Sequence, residues 1–209
     1  MLYFHMGEKT YFQPLTKEDK ITVVLYRVGI FLSTVIISVT AVLGAMTVFG
    51  NYQANVSSLT VGILLLVLYF SVGLSVFFIH LYVGKFHRIL KRIYYAAIAG
   101  LIALFLIGKG NPGAPLFGVP PHGSLLLIPL SLCLGFIAAK EAFCFQLIEG
   151  YILAALMPSF IVFYALGALD QRSAALGFAI IALLLVLFMV RKIFMPIQYD
   201  IGDKSAYQP

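Results

Sequence analysis

The stretch AAKEAFCFQLIEG, Ala138 to Gly150, gathers Lys140, Glu141, Cys144, Gln146 and Glu149 in a chain of 209 residues that is 62% hydrophobic and only 11% charged. Carboxylates beside a histidine, His80, could bind a cation or pass protons. His, Cys and carboxylate also suit a transition metal, but His80 belongs to a different helix and one segment holds no fixed ligand spacing. Cys144 with His80 and Glu141 could be arranged as nucleophile and base, a coincidence across two spans. The plainer chemistry is a structural ion-pair knot, because structural networks perturb carboxylates as readily as functional ones do. If Lys140 to Glu149 stays helical, Cys144 lies about 60° to one side of Glu141 and Glu149 about 80° to the other, so the three share a broad face.

The elements that must position these groups follow from hydropathy. A mean hydropathy of +1.02 is far more apolar than a soluble domain can cover. Six runs approach the roughly 20 apolar residues that cross a hydrocarbon core of about 30 Å. They are Ile21 to Phe49, with the crossing itself beginning after Arg27, Ser58 to Gly84, Ile93 to Gly108, the run SLLLIPLSLCLGFIAAK, the run LIEGYILAALMPSFIVFYALGAL, and Ser173 to Met195. Pro129 and Pro158 are expected to kink the fourth and fifth. KFHRILKR reads as a solvated basic turn between the second and third. KGNPGAPLFGVPPHG must be irregular, with Leu116 and Phe117 able to dip into the interface. The expected fold is all-α, a polytopic bundle of six transmembrane helices: residues 1–20 an N-terminal segment, 21–195 the membrane domain, 196–209 a polar tail.

Orientation comes from lysine and arginine. Of the 14, only Lys109 and Arg172 fall on one side of the six spans, so the positive-inside rule puts the other side and both termini in the cytoplasm. The net charge of +6 then reflects topology and anionic headgroups; nucleic-acid binding would need a soluble basic face. No cleavable signal is evident, and a bacterial plasma (inner) membrane is the default location. Cys133 and Cys144 are not expected to pair, facing a reducing compartment. No Walker loop, Cys-x-x-Cys, H-E-x-x-H or G-x-S-x-G is present, nor an internal repeat.

Topology sets nearly all the polar residues at one depth. Arg27 enters the first helix, His80 and Tyr82 leave the second, Lys140 and Glu141 end the fourth and Glu149 begins the fifth. An unpaired carboxylate there is costly, so Arg27 is expected to pair with Glu141 or Glu149. Small residues four apart, Gly29 and Ser33, Thr40 and Gly44, Ser71 and Ser75, Ser131 with Gly135 and Ala139, let helix backbones approach in lipid. With no tryptophan, tyrosines such as Tyr26, Tyr82, Tyr94, Tyr95 and Tyr199 supply the interfacial belt.

GFIAAKEAFCFQLIEGYILAALMP resembles the K-E-[GA]-F-C-F signature of an uncharacterised integral membrane family, domain of unknown function 2301, which occurs in cyanobacteria, other bacteria and plastids. FIHLYVGKFHRIL is similar to its H-[IL]-Y-V turn and YRVGI to its early Tyr-Arg. The likeness runs from about Tyr26 to Pro158, with one departure: Gln146 stands where the family carries Gly-Arg. The resemblance implies a six-helix membrane protein and supplies no activity. Its matching positions are Tyr26, Arg27, His80, Tyr82, Lys140, Glu141, Phe143, Cys144, Phe145 and Glu149.

The reading reached is a multi-pass membrane protein with a non-enzymatic structural or assembly role. Its polar cluster of Arg27, His80, Tyr82, Lys140, Glu141, Cys144 and Glu149 closes the cytoplasmic end. The alternative is a small-solute, ion or proton transporter or channel using that cluster as gate or site. No cofactor or metal is expected. The expected partners are the lipid bilayer and, through small-residue faces, a second copy or other membrane proteins.

Overall fold

A computed structural model describes residues 15–50 and 57–201; the N-terminal residues before these, the first interhelical connection around Asn55 and the last residues of the tail lie outside them. Among the described residues, six helices are long and apolar enough to cross a membrane. The long helices are α1 (Lys17–Phe49), α2 (Ser58–Phe78), α3 (Gly84–Ile107), α5 (Ile128–Phe145), α6 (Ile148–Ala165) and α7 (Gln171–Ile193). Short α4 (Gly113–Phe117) and a 3₁₀ turn (His122–Leu127) lie between α3 and α5, and α8 (Gln198–Ile201) follows α7.

Local chemistry fixes the starts. Thr16 and Asp19 form a capping box, the Asp19 N–H donating to Thr16 Oγ1 at 3.2 Å and the Thr16 N–H to the Asp19 carboxylate at 2.8 Å. Ser57 caps α2 and Asp170 caps α7 through their side-chain oxygens. At 33 residues, α1 is about 50 Å long, more than the hydrocarbon core needs, so its charged first turns extend beyond the apolar run.

The second span is shorter than expected. Helix α2 stops at Phe78, and KFHRILKR forms the first turns of α3 where a solvated turn was expected. The segment has no breaker, and Phe86, Ile89, Leu90 and Ile93 fall at helical spacing, with Leu90 buried in the core. Pro129 sits in the first turn of α5, where its missing N–H costs nothing, so it starts that helix and does not kink it; Pro158 lies inside α6. Leu116 packs into the core while Phe117 faces outward. The His122 ring bonds the Ala165 carbonyl at 2.9 Å, tying the 3₁₀ turn to the end of α6.

Helix contacts run around a ring, α1 on α2, α2 on α3, α3 on α5, α5 on α6, α6 on α7 and α7 on α1, with α2 touching α5 across it. Small residues lie in the α1–α2 and α5–α6 contacts. A Cβ at Gly29 would come within 2.5 Å of the Ser71 carbonyl oxygen on α2, and one at Gly135 within 3.2 Å of the Ala154 backbone on α6. Ser75 Oγ donates to the Tyr26 carbonyl across the first contact, at 3.1 Å. Without a hydrophobic drive between helices in lipid, such close packing and interhelical bonding hold the bundle. Thr40 and Gly44 behave differently: no described atom lies within 4 Å of a Cβ added at Gly44.

Helix α5 ends where Gln146 takes a left-handed conformation, φ 55° and ψ 42°. Lys140 to Glu149 is therefore two helices and not one, and the broad face expected from continuous winding does not form. That conformation costs an ordinary L-residue about 1 kcal/mol that glycine avoids. Gln146 is exposed, so Gln146→Gly is expected to raise the stability of the detergent-solubilised protein by about 0.5–1 kcal/mol, read as a higher unfolding midpoint.

Candidate functional site: a buried charged cluster

The cluster begins with Arg27. Its helix face turns towards α7, and the guanidinium reaches over that helix's end: Nη1 donates to the carbonyls of Ile193 at 3.0 Å and Met195 at 2.6 Å, and Nη2 to that of Pro196 at 3.2 Å. The last carbonyls of a helix have no partner within it, and a cation is favoured there, so a side chain of α1 caps α7. Nε and Nη2 grip a single oxygen, Oδ2 of Asp200, at 2.7 and 2.6 Å. The other oxygen of Asp200 is held by the ammonium of Lys192.

Lys192 has no exposed side-chain surface. Its ammonium also pairs with Oε2 of Glu141, equally buried. Oε1 of Glu141 accepts from the Tyr26 hydroxyl at 2.7 Å and from Lys140 Nζ at 2.8 Å. The ring of Phe145 lies 4.3 Å from Lys192 Nζ, and that of Tyr26 lies 5.9 Å from it, so aromatic faces close the sides that the carboxylates leave open. The chain of contacts runs Arg27, Asp200, Lys192, Glu141, Lys140 and joins α1, α5, α7 and α8 at one end of the bundle. Charge-assisted bonds in a water-poor setting are the strong ones, and leaving one unmade there is costly.

The expected pairing is corrected by this arrangement. Arg27 meets neither Glu141 nor Glu149 among its bonds; it reaches Glu141 only through Asp200 and Lys192. Glu149, on α6, binds Arg191 of α7 with both oxygens at 2.9 Å, at a partly exposed rim. The separation follows from the helix break at Gln146, which sends Glu141 inward on one helix and Glu149 onto the next. Lys192 and Asp200, together with Arg191, are partners outside the expected set.

The remaining candidates stand apart. His80 lies in the break between α2 and α3, with Nε2 3.3 Å from Thr22 Oγ1. That hydroxyl already donates to carbonyls of its own helix, at Glu18 and Asp19, which assigns the ring proton to Nε2. Its Nδ1 is buried with no hydrogen-bond partner among the described residues. Burial, and then the nearby Lys140 ammonium, push the His80 pKa below its ordinary 6.5, so the ring is neutral at pH 7. Tyr82 is partly exposed at the same end. Cys144 is an exposed free thiol, and Cys133 a buried one. Phe143 is 81% exposed, so the two phenylalanines of KEAFCF divide, Phe145 over Lys192 and Phe143 outward. Among the described residues no group of three His, Cys, Asp or Glu side chains could hold a metal ion.

Residues 74–208 match the family described as an uncharacterized integral membrane protein, DUF2301. The match starts later and ends later than the resemblance read from motifs, and takes in every member of the cluster except Tyr26 and Arg27. No curated protein and no solved structure matches the chain. Covering more than half of a chain with six membrane-spanning helices, the match is decisive: the protein belongs to the DUF2301 family of integral membrane proteins.

Proposed function

We propose that this protein has a non-enzymatic structural or assembly role in a bacterial plasma (inner) membrane, with its basic end and both termini in the cytoplasm. Its charged cluster locks the inner ends of α1, α5 and α7 together. The observation that carries this reading is the state of Lys192, fully buried between two carboxylates and an aromatic ring. A site for passing cargo must bind weakly enough to let go and keep polar groups available; here the cluster's charges are directed at one another. Gly44, where an added Cβ meets no described atom within 4 Å, leaves room on α1 for a second copy or another membrane protein.

One observation favours the alternative of a transporter or channel for a small solute, ion or proton, namely the unpartnered buried Nδ1 of His80. Reconstitution decides between the two. Proteoliposomes are expected to show proton and small-ion fluxes equal to those of protein-free liposomes; a flux that disappears in His80→Gln would replace the structural reading with the transport one. Orientation is tested by reporter fusions: Gly113 and Gln171 are expected outside and Arg88 inside, and external accessibility of Arg88 would reverse it.

A further inference from the structure

Asp200 belongs to none of the six spans, yet its carboxylate is seated as a ligand is. One oxygen lies in the fork of Arg27 Nε and Nη2, and the other lies on the Lys192 ammonium, with 2% of the side chain exposed. A guanidinium fork backed by an ammonium takes a carboxylate or phosphate oxygen whatever its source. Charge points the same way. Among the described residues the cluster sets three cations, Arg27, Lys140 and Lys192, against two carboxylates, Glu141 and Asp200. One positive charge is in excess with Asp200 docked, and two without it.

The cations are fixed on α1, α5 and α7, whereas Asp200 arrives on a helix of four residues. The bonds from Arg27 to the Ile193 and Met195 carbonyls precede α8, whereas the Pro196 carbonyl also accepts from the Tyr199 N–H of α8 at 3.3 Å; two carbonyls therefore hold the guanidinium in place when that helix leaves. We propose that Arg27 and Lys192 form an oxyanion-binding site that Asp200 occupies in cis, and that a carboxylate or phosphate from outside the chain takes its place when α8 lifts away. This goes beyond the structural role: the latch has an exchangeable acidic piece. Its position at the basic end of the bundle offers two sources of the same chemistry, a lipid headgroup phosphate or a soluble oxyanion.

The test is chemical rescue. Asp200→Ala, purified in neutral detergent, is titrated with formate, acetate or inorganic phosphate against chloride at matched ionic strength; a second arm titrates phosphatidylglycerol against phosphatidylcholine in mixed micelles. The expected result is a saturable rise of the Asp200→Ala unfolding midpoint towards that of the parent protein, with no rise in Asp200→Ala combined with Arg27→Gln. The arm that saturates identifies the source. No saturable rise in either arm, or an equal rise in the double variant, overturns the proposal. Should Asp200→Ala fail to fold, Ile201→Cys in a Cys144→Ser background reads the opening of α8 directly. Maleimide labelling is expected to accelerate several-fold with the same anions, and a rate unchanged by them overturns the site. Neither readout depends on the flux comparison that tests the structural role.

Discussion

Glu141→Leu is expected to lower the stability of the detergent-solubilised protein by about 3–5 kcal/mol, the range found when one partner of a buried ionic network is removed. The substitution fills the volume, so the loss is electrostatic. It strands Lys192 beside one carboxylate where there were two, and it removes the acceptor of both the Lys140 ammonium and the Tyr26 hydroxyl. Three charged or polar groups, Lys192, Lys140 and the Tyr26 hydroxyl, then sit in a water-poor region with their bonds incomplete. Equilibrium unfolding in one detergent, followed by helical circular dichroism, measures the loss. Glu149→Leu is the comparison: its partner Arg191 is 54% exposed, and a pair in contact with water contributes at most about 1 kcal/mol.

The second large effect is expected at Gly29. Added carbon there meets backbone, the Ser71 carbonyl and the Ser75 nitrogen at 2.5 and 2.8 Å, as well as the Ser75 hydroxyl. Backbone cannot swing aside as the end of a side chain can, so α1 and α2 must separate. Gly29→Ala is expected to cost about 1–3 kcal/mol, as overpacking in a well-packed core does, and Gly29→Leu more than that. Separation also breaks the bond from Ser75 to the Tyr26 carbonyl, and Tyr26 is the hydroxyl donor to Glu141, so the damage reaches the cluster. Gly44→Leu, on the same helix with open space above it, is expected to change stability by less than about 0.5 kcal/mol in monomeric detergent-solubilised protein. Loss of stability at Gly44 equal to that at Gly29 would mean that the α1–α2 contact has been misassigned.

The spans were legible because hydrocarbon imposes length and apolarity on each helix separately, and neither depends on neighbours. The small-residue pairs at Gly29, Ser71 and Ser75 could be read as contact faces for the same reason, although Thr40 and Gly44 carry the same spacing and a Cβ at Gly44 meets no described atom within 4 Å. Depth along the membrane was also readable, so Arg27 and Glu141 were correctly brought to one end. Partner choice was not, because it depends on how each helix is rotated about its axis and on where the chain goes after α7. Lys192 looked like a flanking charge beside Arg191. Its spacing to Ile181, Leu185 and Phe188, the buried stripe of α7, carries the signal that it points inward. Asp200 looked like part of a polar tail; the clue was its place between Ile197 and Ile201, the second of which is buried with it. The helix break at Gln146 had no local signal of its own, since glutamine is a good helix former and rarely takes the left-handed conformation.

The most direct test of the claim that a buried ionic chain closes this end of the bundle is the double-mutant cycle on Glu141→Leu and Lys192→Met. Each single variant leaves the other member of the pair as a buried charge short of a partner, while the double variant removes both; the loss of the Glu141 acceptor by Lys140 and Tyr26 is common to Glu141→Leu and the double variant and cancels from the coupling term. The account predicts that the double variant loses less stability than the two single variants together, with a coupling energy of at least about 2 kcal/mol. Purely additive losses from Glu141→Leu and Lys192→Met would contradict it.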